Sequence, residues 1–420
     1  MGGMPPLSGM TNAAAANQGA LKARHGRIRR RHAARALLLV LPLLAFLLLT
    51  FLAPIGRMLY RSVEDPELST VLPETAAVLR AWDGDGSPPD AAFEALVREM
   101  PSAAEDRTLA AVAQRLNHDI SGFRSLVLRT ARRLPDAAGQ QAREVLTGLD
   151  PRWEQPATWA AMRRAAFPLT DFYLLTAVDL DRDAEGNIVR VPAWEAVFVD
   201  VLVRTLWISF VVTVSCVILG YPVAYLLATL PPKSSNLLMI LVLLPFWTSL
   251  LVRTSAWVVV LQNEGILNGI LLGLGLVDSP VQMIFNRFGV LVAMTHVLLP
   301  FMVLPLYSVM KGISPAYMRA AASLGAPPWT AFLRVYLPQT LPGVTAGCLL
   351  VFILALGYYI TPALVGGADD QMVSYLIAFY TNRTVNWGLA AALATLLLMA
   401  TAVLYGVYSR VAGTGGVRLG

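Results

Sequence analysis

Six stretches of this 420-residue chain, roughly 36–59, 203–229, 237–261, 289–310, 342–364 and 387–409, are nearly free of charge and long enough to cross a bilayer. A hydrocarbon core about 30 Å thick requires about 20 apolar residues, because a helix rises about 1.5 Å per residue. In lipid every backbone polar group needs a partner within the protein, so such runs are helices. The expectation is an all-α membrane protein with six transmembrane helices. Composition agrees: 56% of residues are hydrophobic and 14% charged, against about 25% charged in soluble domains.

Charge placement sets the expected orientation. Lys22, Arg24, Arg27, Arg29, Arg30, Arg31 and Arg35 all precede the first run, as the positive-inside rule requires of a cytoplasmic segment. The net charge of +6 is therefore read as membrane topology, with no nucleic-acid partner. No small-residue cleavage site follows the first run, which reads as an uncleaved anchor. Alternate loops then fall inside, with Lys233 in the first and Lys311, Arg319 and Arg334 in the second, and Arg410 and Arg418 in the tail. The outward loops hold Glu264, Asp278, Asp369 and Asp370 against Arg287 and Arg383. Both termini are expected in the cytoplasm.

The expected layout is a basic segment 1–35, a first helix 36–60, an insertion 61–195, a five-helix region 196–410 with an inner loop 311–341, and a tail 411–420. The insertion differs in character, with 22 acidic and 15 basic residues. Helical periodicity covers Phe93 to Met100, Thr108 to Leu134 and Ala137 to Leu149. Turn signals stand at Asp83-Gly84-Asp85-Gly86 and from Asp181 to Asn187, where a short hairpin is expected around Glu185-Gly186-Asn187. A small, mostly helical outer domain follows from these patterns.

Enzyme chemistry finds little support. The three lysines, Lys22, Lys233 and Lys311, follow Leu21, Pro232 and Met310, so none completes a G-x-x-x-x-G-K-[ST] phosphate loop. Asp179 to Glu185 resembles a calcium loop but has Ala184 where glycine is needed and Arg190 where a bidentate glutamate is needed, so it reads as a solvated turn. His118 and His296 fall on different sides of the membrane map, and no catalytic or metal set assembles. Cys216 and Cys348 lie in apolar runs and read as packing residues.

The inner loop carries the most specific pattern. Ser314 can cap a helix, Pro315 suits its first position, and Gly325 suits the left-handed residue past its end. Trp329 to Leu337 can form a second short helix before Pro338. Arg319-Ala320-Ala321-Ala322-Ser323-Leu324-Gly325, followed by Val335-Tyr336-Leu337-Pro338, resembles the EAA loop of permease subunits of binding-protein-dependent ABC importers. Arg319 stands where that family has glutamate. The resemblance extends from about Thr205 to Arg410. Segments such as Leu219-Gly220-Tyr221-Pro222-Val223-Ala224-Tyr225, Pro245 to Thr254 and His296 to Phe301 are similar to spermidine/putrescine permeases.

That resemblance implies a type I ABC importer architecture: a second permease subunit, a dimer of cytoplasmic ATPases that binds ATP and magnesium, and a periplasmic solute-binding protein. It further implies that Arg319, Ala320, Ala321, Gly325, Leu337 and Pro338 form the loop that docks the ATPase, and that the cargo is a polyamine. Permeases for an anion, an amino-acid-like compound or chelated iron share parts of the pattern. A membrane sensor is a further alternative and would be expected to continue into a cytoplasmic signalling module.

For the passage itself the candidates are Asp200 at the outer entrance to the second run and Trp247, Trp257 and Tyr307 as cation–π surfaces. Arg253 and His296, ionisable at membrane depth, complete the set. Arg253 either anchors the helix through carbonyls or headgroups, or serves at a gate. His296 either bonds a neighbouring helix or lines the passage.

Overall fold

A computed structural model describes residues 39–84, 86–134, 141–183 and 187–413, with side chains to 410. The basic N-terminal cluster, the hairpin tip at Glu185 and Gly186, and Arg418 of the tail lie outside the described residues. The chain divides into two units after Tyr60. The first contains nearly all of helix α1, Leu39–Arg61. Arg61–Gly420 forms the second, in which the insertion and the remaining spans share one body.

Among the described residues six helices are long and apolar enough to cross a membrane. In the insertion, α2 (Glu67–Val71), α3 (Pro73–Ala81), α4 (Asp90–Glu105), α5 (Leu109–Asp119), α6 (Phe123–Arg133), α7 (Ala142–Leu149) and α8 (Pro156–Ala165) enclose a water-soluble type of core. The expected helix from Thr108 to Leu134 is two helices. Gly122 between them takes φ +85°, which a β-carbon residue adopts only at a cost, and Asn117 Oδ1 accepts the amides of Gly122 and Arg124 at 3.1 Å. A short α9 (Phe172–Thr176) leads to the antiparallel pair β1 (Leu180–Arg182) and β2 (Ile188–Arg190), registered Asp181 to Val189.

The bundle begins with α10 (Phe198–Thr229). The expected third span, 237–261, is broken. Helix α11 (Pro232–Leu243) runs into a 3-10 turn, Leu244–Trp247, and α12 (Leu250–Leu261) restarts where Ser249 accepts the Val252 amide at 3.2 Å. Helix α13 (Ile266–Gly273) continues it, so the membrane-length segment is Leu250–Gly273. Pro245 lacks the N–H that a continuous helix would use. Next come α14 (Arg287–Gly312) and α15 (Ala316–Ser323).

The fifth span is α16, Pro328–Leu356. The expected stop at Pro338 does not occur: a π-turn at Phe332–Tyr336 lets the Leu337 amide reach Phe332 O, and the helix passes through the proline. A widened turn absorbs the missing donor. At the far end the expected run to 364 is cut at Leu356, and α17 (Ile360–Val365) is separate. Helix α18 (Val373–Asn382) and α19 (Trp387–Gly413) close the chain.

Helices α10, α14 and α16 approach closely through glycines. A β-carbon at Gly347 would lie 2.6 Å from Met302 Sδ, one at Gly343 3.2 Å from Pro305 O, and one at Gly220 3.1 Å from Met302 Cγ. Gly343 and Gly347 form a G-x-x-x-G pair, the spacing that lets two helices touch backbone to backbone in lipid.

Candidate functional site

The loop from Ile313 to Pro327 folds as a capped knob. Ser314 Oγ accepts the Ala316 amide at 3.3 Å, and its carbonyl accepts Tyr317 at 3.2 Å. At the other end Gly325 takes φ +82°. Its amide bonds Ala322 O and the Ala326 amide bonds Ala321 O, both at 3.0 Å. These two bonds make a Schellman closure, which satisfies carbonyls that the helix end would leave bare. Ala321 is buried, while Ala320, Arg319 and Gly325 are exposed. The knob also shows Tyr317, Leu324 (89% exposed) and Trp329 (70%) to its surroundings, a large apolar display on a short loop. The Arg319 side chain has no ionic partner among the described residues.

Beneath the knob lies an aromatic seat. Trp329, Phe332 and Tyr336 stack along the first turns of α16, with centroids 6.0 and 5.7 Å apart. Tyr221 and Tyr225 of α10 meet Phe332 edge-on, and Tyr225 meets Tyr336 at 5.4 Å. Tyr221 Oη lies 3.2 Å from Thr340 Oγ1. Leu337 is half-buried and Pro338 exposed along this stem. The seat ties the knob to two spans at once. Sequence reading missed it, although Tyr221/Tyr225 at i, i+4 and Trp329/Phe332/Tyr336 at i, i+3, i+7 are aromatic faces on a helix.

At membrane depth the structure joins two of the candidates. Trp257 Nε1 donates to His296 Nδ1 at 3.1 Å, with the rings near perpendicular. His296 is thus an acceptor at Nδ1, which fixes the neutral tautomer that carries its proton on Nε2. The pair lies in the wall of a cavity of about 470 Å³ with Ser215, Thr295, Leu219 and Phe288. Asp200, Trp247 and Tyr307 are not in that wall. Asp200 is exposed on the first turn of α10 and 3.5 Å from Arg204. Trp247 ends the 3-10 turn, 75% exposed, and Tyr307 packs half-buried against the α10–α14–α16 core. Arg253 turns back on the break before its own helix: its guanidinium donates to the Pro245 and Thr248 carbonyls. A cation at the C-terminal end of α11 and its 3-10 turn is favoured by the carbonyl dipoles that converge there.

The opposite end of the bundle is held by the insertion. Asp179, read from sequence as part of a solvated turn, caps α10: its carboxylate accepts the amides of Val197 and Phe198 at 3.0 Å and Val199 at 2.7 Å. The Tyr173 ring lies on Gly388, where a β-carbon would be 2.4 Å away. Gln114 Nε2 donates to Thr384 O at 3.0 Å, and Asn386 Nδ2 lies 3.2 Å from His118 Nδ1.

Behind this contact the buried Arg115 guanidinium bonds Asp65 at 2.8 Å and Asp119 at 2.9 Å, and lies 4.4 Å over the Phe172 ring. Burial pushes the Asp65 carboxyl up to about 7 despite the arginine, with Glu67 adding to the rise. Burial and Arg115 hold His118 below the usual imidazole range. Among the described residues no cluster of three or more His, Cys, Asp or Glu side chains could hold a metal.

The profile of the family described as "Binding-protein-dependent transport system inner membrane component" matches residues 217–412. The spermidine/putrescine transport system permease protein PotB of Salmonella typhimurium is 36% identical over 216 residues, covering 51% of this chain and 75% of that protein. PotB of Escherichia coli is 36% identical over the same length, covering 51% and 78%. The molybdenum transport system permease protein ModB of Mycobacterium bovis is 30% identical over 262 residues, covering 62% of this chain and 94% of its own. A chain of the bacterial alginate ABC transporter overlaps 52% of this chain and 78% of its own length at 18% identity, with a TM-score of 0.42. This chain belongs to the family of binding-protein-dependent transport system inner membrane components. It is a multi-pass inner-membrane protein and the permease subunit of an ABC importer.

Proposed function

We propose that this permease moves polyamines such as putrescine and spermidine into the cell. The observation that carries the reading is the identity to PotB of Salmonella typhimurium, 36% over 216 residues that cover 75% of that protein. Local chemistry is compatible with it. Arg253, the cation that would repel a polyamine, turns onto the Pro245 and Thr248 carbonyls and is not in the cavity wall, which offers an indole face and a neutral imidazole. Few carboxylates are available to hold a polycation, so selectivity falls to a periplasmic binding protein, with the permease supplying a largely neutral passage.

On this reading the knob faces the cytoplasm and seats on one subunit of an ATPase dimer that supplies ATP and magnesium, while a second permease completes the passage. Tyr317, Leu324 and Trp329 would enter the ATPase surface, and Arg319 would meet an acceptor there. The insertion would then face the periplasm. In a background without Cys216 and Cys348, Ser121→Cys should react with an impermeant thiol reagent in intact cells and Ser323→Cys should not; the opposite pattern would end this orientation. Uptake of labelled putrescine and spermidine in a strain lacking this gene, complemented by its whole operon, tests the cargo. A second reading, an oxyanion, is favoured by the molybdenum permease relative, which matches over 94% of its length. Restored molybdate uptake with unchanged polyamine uptake would select it.

A further inference from the structure

A cavity of about 600 Å³ opens in the insertion, between the end of α8, α9 and β1, and it is amphiphilic. One wall is charged, with Arg163, Arg164, Arg182, Asp171 and Asp181; the other is apolar, with Phe167 and Leu169. Two of the arginines are engaged. Arg163 Nε donates to Trp82 O at 2.8 Å, and Arg182 pairs with Asp171. Arg164 is half-buried, and its guanidinium has no hydrogen-bond or ion-pair partner among the described residues. A guanidinium held in a partly desolvated wall without an acceptor is poised for an anion.

The cavity borders the helix that joins the insertion to the spans, since Phe172 and Leu175 of α9 line it. Leu169 bridges Glu64, and Thr170 N bonds Val63 O at 2.8 Å, within three residues of the end of α1. Tyr173 and Ala177 pack on Val201 and Leu389, in the first turns of α10 and α19. Phe167 (39%) and Leu169 (56%) in its wall are exposed, as is Trp194 (82%) in the segment that leads into α10. Large apolar and indole side chains there suit the headgroup layer, where one part of the ring is apolar and the other wet.

We propose that this cavity binds an anionic phospholipid of the adjacent leaflet, with the phosphodiester on Arg164 and Arg163 and the upper acyl chain against Phe167 and Leu169. The apolar wall is what a free anion would leave unused. The site requires only that α10 and α19 cross a bilayer, and it is independent of the cargo.

Full-length protein in an uncharged maltoside, offered equal phosphatidylglycerol and phosphatidylcholine, is weighed by native mass spectrometry. One phosphatidylglycerol should be retained in at least fivefold preference. Arg164→Gln and Phe167→Ser should each reduce that retention several-fold, Arg164→Lys should keep at least half of it, and Arg132→Gln, on an exposed face elsewhere, should leave it unchanged. Equal retention of the two lipids, or wild-type retention in Arg164→Gln, would overturn the site. Millimolar inorganic phosphate that displaces the lipid completely would also overturn it, because the cavity would then be reading a free anion.

Discussion

Residues 61–195 carry 22 of the chain's 27 carboxylates, whereas the bundle that follows is joined by glycines and methionines. The insertion buries bulk. Phe93 and Trp159 lie 4.4 Å apart, Trp153 Nε1 donates to Thr130 Oγ1 at 2.9 Å, and Trp159 Nε1 donates to Trp153 O at 2.8 Å. Water drives that core, since each large side chain removed from solvent contributes about 1.5–3 kcal/mol. Between helices in lipid no such drive exists, and close backbone approach replaces it. The same chain therefore obeys two solvents, and equal substitutions should have unequal effects in its two parts.

The largest effect is expected where the bundle is tightest. Gly347→Leu would drive a side chain into Met302 Sδ and its carbonyl, 2.6 and 3.3 Å from the first added carbon. Overpacking against backbone leaves no rotamer to escape into. The variant should yield no monodisperse protein in mild detergent. Trp159→Ala in the insertion should cost about 3–5 kcal/mol yet leave the bundle extractable. Similar extraction of the two variants would erase the distinction.

A loss of the same order as that of Trp159→Ala should follow from Arg115→Met. It strands Asp65 and Asp119 in a buried place, and removal of one partner of a buried ion pair costs about 3–5 kcal/mol. Hydrogen exchange should report it in α2, α5 and the contact with Asn386 and Gly388, and not at the knob.

These two sites were not equally legible. The spans are readable because six apolar runs admit only one backbone solution in lipid, and Gly325 is readable because its αL requirement is local. The break at Pro245 was missed because hydrophobicity is continuous across it, though Pro245 and Ser249 together mark a stop and a cap. The stop expected at Pro338 failed because a π-turn five residues long absorbs a proline that local rules treat as terminal. Asp179 was misread because its partners, the amides of 197–199, lie eighteen to twenty residues on. Contacts such as Tyr173 on Gly388 join positions over 200 residues apart, and no local pattern encodes them.

Acidity should sharpen the contrast more gently. Asp65 is raised by burial to about 7, so the folded insertion holds a proton that the unfolded chain releases near 3.8. Stability from this group is full below that value and is lost as pH rises towards 7. Glu67, Arg115, Asp119 and Tyr173 face the same group, and His118 acts in the opposite sense: its lowered pKa removes stability as pH falls below its ordinary 6.5. Asp65→Asn should isolate the first effect. Its exchange protection in α2 and α5 should change less between pH 5 and pH 8 than that of the wild type. An unchanged pH profile would show that Asp65 does not hold the proton.

The smallest change in stability belongs to Gly325→Val, at the end of the molecule farthest in character from the glycine seams. Unlike Gly347, Gly325 has nothing within 4 Å of an added β-carbon, so no internal clash arises. What remains is the left-handed backbone, φ +82°, which costs about 1–2 kcal/mol for a residue with a β-carbon, and the loss of the Schellman closure if the turn relaxes. Helix α15 should fray locally while insertion and extraction stay normal. Because Leu324 and Trp329 flank this turn, a small rearrangement would displace the apolar surface offered to an ATPase. Transport should fall at least tenfold, with less ATPase co-purifying. Gly325→Asn, which tolerates the left-handed region better, should recover much of both. Full transport by Gly325→Val with normal complex assembly would remove the knob from the coupling route and leave the glycine with a purely conformational role.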